Sequence, residues 1–68
     1  MNVENIMNRI KIVYIDPNTD SEHPLAVGMT GTVVEELEHG DIMVDMDNPE
    51  QFDNEPVHVY AGEFEVID

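Results

Sequence analysis

The chain contains no cysteine, no tryptophan and only two basic side chains in 68 residues. Without cysteine, neither a disulfide nor a thiolate metal site can brace the fold. That usage suits a reducing cytoplasm better than a secreted scaffold. No apolar run approaches the roughly 20 residues that a membrane-spanning helix needs. The opening MNVENIMNRIKIVYI lacks an early basic region and a small-residue cleavage site, so it does not read as a signal peptide. Nucleophiles are scarce as well: Ser21 is the only serine and Lys11 the only lysine, so covalent catalysis is poorly supplied and an enzyme is not expected. The expectation is one soluble cytoplasmic domain, because 68 residues suffice for one and not for two. A domain of this size buries only roughly 60% of its unfolded surface, so its core is thin.

What the chain has in abundance is carboxylate. Sixteen Asp and Glu against two cations give a formal net charge of −14. Both cations, Arg9 and Lys11, lie near the start, and from Ile12 to Asp68 there are fifteen carboxylates with no Lys or Arg. Internal ion pairs therefore cannot neutralise the surface. Self-repulsion at this density costs stability, and salt or a cationic partner relieves it. Direct binding to nucleic acid or to an anionic membrane is excluded on the same ground. Solubility and adaptation to high salt are alternative sources of acidity. Disorder is not expected, since 41% of residues are hydrophobic and they cluster into strand-like groups.

Residues 1–8 show no period and read as a loose, flexible N-terminal segment, with a helical turn as the alternative, leaving residues 9–68 as the domain. Arg9–Ile15 has β-branched and aromatic strand composition and reads as largely buried. Asp16–Pro24 is dense in turn residues. Gly28 and Gly31 bracket a turn or bulge before a strand over Thr32–Glu36. Glu38-His39-Gly40-Asp41 reads as a hairpin connection, with Gly40 free to take positive φ. Asp41–Asp47 then alternates, with Ile42, Val44 and Met46 on one face and Asp41, Met43, Asp45 and Asp47 on the other. A polar loop, Asn48–Pro56, carries Phe52 and precedes strands over Val57–Tyr60 and Glu63–Ile67. In the last of these Phe64 and Val66 oppose Glu63 and Glu65. Five short strands with one long loop and one tight turn describe an all-β fold, a small five-stranded barrel whose closure removes exposed edges.

RIKIVYI, a long acidic loop, GMTGTVV, HGDIMVDMDN and FEVI, in that order, resemble the SH3-like barrels of small phage and bacterial domains of unknown function. The resemblance covers Arg9 to Ile67. Its most specific parts are Gly28-x-x-Gly31-Thr32-Val33, the Gly40-Asp41 hairpin and Asp47-Asn48. Met46 and Pro49 stand where tryptophan and glycine are commoner in that pattern. With Tyr14 and Tyr60 the only tyrosines, an aromatic proline-binding groove is poorly furnished.

Candidate chemistry narrows to charge. Asp16, Asn18, Asp20 and Glu22 have the alternating oxygens that open a calcium loop. Ser21 occupies the glycine position, however, and Val27 stands where the bidentate glutamate belongs, so a solvated turn accounts for the segment and calcium is only a third reading. His23, His39 and His58 lack ligand spacing, and no metal or other cofactor is expected. Carboxylate pairs are too common here to discriminate a glycosidase-type site.

The remaining feature is the array of carboxylates. Asp41, Asp45 and Asp47 are expected to form one outward row, and Glu63 with Glu65 another. Glu35, Glu36 and Glu38 extend the hairpin, while Glu50, Asp53 and Glu55 decorate the following loop. Met43 or Phe52 would add apolar contact. In size, charge and lack of catalytic groups the chain resembles phage-encoded DNA mimics, which occupy the DNA-binding face of a host factor. The resemblance implies a basic, nucleic-acid-binding host protein as partner and the host cytoplasm as location. The usual target classes are nucleoid proteins such as HU, RNA polymerase, restriction enzymes and repair glycosylases. The runner-up reading is an SH3-like accessory or assembly module whose acidity serves solubility. Oligomeric state is not legible from the sequence.

Overall fold

A computed structural model describes residues 8–68. The expected loose segment over residues 1–8 therefore lies outside the described residues, apart from Asn8. Five strands follow in chain order: β1 (Arg9–Ile12), β2 (Thr30–Glu36), β3 (Ile42–Met46), β4 (Val57–Val59) and β5 (Phe64–Val66). Single 3₁₀ turns at Glu38–Gly40 and Pro49–Phe52 are the only helical elements among the described residues. All pairings are antiparallel, in the order β4-β3-β2-β1-β5. The fold is all-β, as expected.

The connection between β4 and β5 decides the shape. These strands are the two edges of the sheet, about 19 Å apart if five strands lay flat. Yet they are consecutive in the chain and joined only by Tyr60–Glu63, where the Glu63 amide donates to the Tyr60 carbonyl at 3.1 Å. A turn of that kind brings its ends to within about 7 Å, so the sheet must roll until its edges approach. The result is barrel-like.

Alternation places the core inside the roll. Ile10 and Ile12 of β1, Ile42, Val44 and Met46 of β3, and Val57 and Val59 of β4 are buried, joined by Leu25 and Phe52 from the connections. Each such side chain contributes roughly 1.5–3 kcal/mol on burial. Gly31 is required for close packing: a Cβ there would lie 2.6 Å from Val44 Cγ1 and 2.7 Å from the Asp45 carbonyl oxygen. Gly40 takes φ +86° in the β2–β3 hairpin, as expected of it.

The strand bounds differ from expectation in two instructive places. β1 ends at Ile12, and Val13 and Tyr14 are exposed because their amides turn to share the Glu63 carbonyl. The expected largely buried strand to Ile15 is thereby corrected. β2 begins earlier, at Thr30, and carries a register shift between Val33 and Glu35. Val34 is the extra residue of this bulge. Consequently Glu35 sits opposite Met43 on the outer face, and Glu36 sits opposite the buried Ile42.

Candidate functional site

Of the eleven carboxylates assigned from the sequence, nine are exposed: Glu35, Glu36, Glu38, Asp45, Asp47, Glu50, Asp53, Glu55 and Glu65. They do not form one uniform surface. The bases of the distribution are β1 and its neighbours, where residue pairing sets charge opposite charge. Arg9, Thr32 and Asp45 align across β1, β2 and β3, and Lys11 stands directly opposite both Thr30 and Glu65. Ile10 and Ile12 face inward, so Arg9 and Lys11 project outward among Asp45, Asp47 and Glu65.

Arg9 forms a two-pronged pair with Asp47, at 2.8 and 2.6 Å, and donates to the Thr32 hydroxyl. Thr30 also donates to Asp47. Hydrogen bonds from Arg9, then from Thr30, hold the Asp47 carboxyl well below its ordinary value, at about 2. The outer row of carboxylates is thus partly neutralised by Arg9, with Lys11 in register opposite Glu65.

Asp41 is half-buried and engaged elsewhere. Its Oδ1 accepts the Ala61 amide at 2.8 Å, and its Oδ2 lies 2.8 Å from His58 Nε2. These bonds, the Ala61 amide foremost, keep Asp41 below the usual carboxylate range. His58 in turn stacks on Tyr60, with ring centroids 4.3 Å apart. His39 reaches Glu38 only at 3.9 Å, with both side chains almost fully exposed.

Glu63 is the clear correction. Expected beside Glu65 on an outward row, it is buried to 1% exposure. It precedes β5 in the Tyr60–Glu63 turn, so strand alternation does not extend to it. Its Oε2 accepts the Asp16 amide at 2.8 Å and the Thr19 hydroxyl at 2.9 Å, and its Oε1 accepts the Ser21 hydroxyl at 2.9 Å. A buried carboxylate must be met by donors, and the acidic loop supplies all three. The Asp16–Glu22 segment, read as the opening of a calcium loop, wraps this carboxylate. Asp16 itself accepts the Asn18 amide. No group of three His, Cys, Asp or Glu suited to a metal ion occurs among the described residues.

Phe52 is likewise corrected: it lies in the core, at the end of the Pro49–Phe52 turn, and offers no contact to a partner. Met43 remains half-buried on the outer face, opposite Glu35 and His58.

Six exposed carboxylates are clear of β1 and its cations. Glu35, Glu36 and Glu38 belong to the end of β2 and the hairpin, and Glu50, Asp53 and Glu55 to the β3–β4 connection. β3 separates the two groups by its five residues, roughly 17 Å of strand. One further feature was not legible in the sequence, a cleft of about 230 Å³ beside the hairpin. Val33, Leu37, Ile42, Phe64 and Val66 form its apolar lining, with Glu36 and Asp41 among its polar residues. The bulge at Val34 supplies the reason that Glu36 is there, and strand alternation alone would have put Glu35 on that side.

No family model, curated protein or solved structure matches the chain. No helix among the described residues is long and apolar enough to cross a membrane.

Proposed function

We propose that the protein is a non-enzymatic acidic decoy that binds the basic, DNA-binding surface of a bacterial host protein and competes there with DNA. The observation supporting this reading is the set of six exposed carboxylates, Glu35, Glu36, Glu38, Glu50, Asp53 and Glu55, carried on the end of β2, the hairpin and the β3–β4 connection with no Lys or Arg on their own segments. The outer row on β1–β3 is the weaker part of the surface, since Arg9 and Lys11 offset it. A basic partner docking on the six would release counterions as DNA does, and long-range attraction would speed the encounter. Nucleoid proteins such as HU fit the required chemistry, as do other DNA-binding host factors. An SH3-like barrel in this reading is a rigid frame for charge, without the aromatic groove of a peptide binder.

Affinity capture from nuclease-treated bacterial lysate, with and without added duplex DNA, tests the proposal. Recovery of a basic DNA-binding protein that added DNA displaces supports it. Replacing the six carboxylates by Gln or Asn is then expected to abolish capture. Capture unaffected by DNA or by these replacements would instead favour an accessory assembly module.

A further inference from the structure

The cleft beside the hairpin is made of residues that belong to the inside of the sheet. Val66 lies opposite Ile10, and Val33 opposite Val44, and both of those partners are fully buried. Cross-strand partners share a face, so Val66 points to the core side, yet it is 54% exposed. Val33, Leu37 and Phe64 are only half-buried. Among the described residues, interior surface is therefore left uncovered here, and the bulge adds a carboxylate, Glu36, to that same side. Arg9 and Lys11 project from the outer face of β1, so no Lys or Arg side chain lines the cleft.

The volume, about 230 Å³, lies below the roughly 300–1,000 Å³ of pockets that take drug-sized ligands. It suits one large apolar side chain. With Glu36 and Asp41 as acidic lining, and Glu35 and Glu38 exposed on either side of Glu36 and Leu37 in the chain, the field around it is negative. We infer that the cleft receives a single large apolar side chain presented on a lysine- or arginine-rich segment of the partner. The inference rests on the basic-partner reading and deepens it: charge brings the partner in, and the cleft adds an anchor that DNA lacks. Buried apolar anchors of this kind dominate interface energies, whereas rim charges govern encounter.

The probes are a short oligolysine peptide with one central phenylalanine and its counterpart with alanine, titrated into the full chain at low salt. The phenylalanine peptide is expected to bind about tenfold more tightly, and the methyl resonances of Val33, Leu37, Ile42 and Val66 to shift with it. Val66→Asp adds a carboxylate while making the lining polar. It is expected to erase the phenylalanine advantage and to leave alanine-peptide binding unchanged or stronger. Leu37→Gln provides the same comparison without a charge change, should Val66→Asp not fold. Equal binding of the two peptides, or an advantage that survives both variants, overturns the anchor while leaving the charge reading intact. Binding by neither peptide overturns the basic-partner reading itself. Cleft methyls that respond to protein concentration and not to peptide assign the site to a second copy of the chain, and also overturn the inference.

Discussion

The long β1–β2 connection and the short β2–β3 hairpin are both acidic, and they use their carboxylates in opposite ways. The first carries Asp16, Asp20 and Glu22, yet it is gathered around a buried carboxylate from elsewhere, Glu63. Its Leu25 is sunk in the core. The hairpin carries Glu35, Glu36 and Glu38 into solvent and leaves interior side chains uncovered beside it. Composition does not separate the two. The difference lies in donors: Thr19, Ser21 and the free Asp16 amide can satisfy a carboxylate without water, and the hairpin has no equivalent set.

The strongest test of this contrast is Glu63→Ala, which strands the Asp16 amide and two hydroxyls. A loss of about 3 kcal/mol is expected by urea denaturation, a large share of the stability of so small a domain. Glu63→Gln keeps one acceptor oxygen and should cost less. A loss below about 1 kcal/mol for Glu63→Ala would mean that the loop holds itself.

Next in size is the pair Leu25→Ala and Leu37→Ala. The buried Leu25 is expected to cost about 2–3 kcal/mol, and the half-buried Leu37 under about 1 kcal/mol, both read from denaturation midpoints. Equal losses would erase the distinction between a packed loop and an open hairpin.

A smaller effect concerns Asp47, whose carboxyl stands at about 2, below its ordinary 3.8. A group depressed in the folded state adds stability above its unfolded value and loses it as pH falls through the folded one. Stability should therefore decline between about pH 4 and pH 2, and Asp47→Asn should flatten that decline. Because the Asp47 side chain is 48% exposed, solvent screening limits the effect to below about 1 kcal/mol. An unchanged acid limb in the variant would assign the decline to other carboxylates.

The smallest effect is a gain. Replacing Glu35, Glu36 and Glu38 together by Gln should raise the melting temperature at low salt by relieving repulsion, and the gain should vanish at high salt. The matching replacement in the long loop, Asp20 with Glu22, tests whether the same relief operates there.

Much of the fold was legible because period-two patterning is unambiguous where hydrophobic and acidic residues alternate. Ile42, Val44 and Met46 against Asp41, Met43, Asp45 and Asp47 is the clearest case. Patterning failed where the chain is not a regular strand. Glu63 sits in a turn one residue before β5, so parity with Glu65 carried no information about its burial. Val13 and Tyr14 have strand composition, but their amides bond to a turn carbonyl and their side chains reach solvent. Phe52 was placed in a polar loop whose flanking acids hid its role as a core residue. For the candidate site, exposure of most assigned acids followed from composition. Neutralisation of Asp47 by Arg9, and the placing of Lys11 opposite Glu65, depended on register, which a single sequence does not specify. The hydroxyl donors Thr19 and Ser21, half-buried in the structure, were the only signal that a carboxylate would be drawn inward near them.

The bulge at Val34 has a consequence for how the sequence can change in length. Losing one residue from a paired strand normally inverts every side chain beyond the gap, turning core outward and surface inward. Val34 has no partner on β3, so its loss would straighten the strand and keep Glu35 opposite Met43 and Glu36 opposite Ile42. Loss of the paired Thr32 would exchange those faces. Within β2, tolerance to deletion is therefore concentrated at one position, which makes Val34 a natural place for close variants of this chain to differ in length.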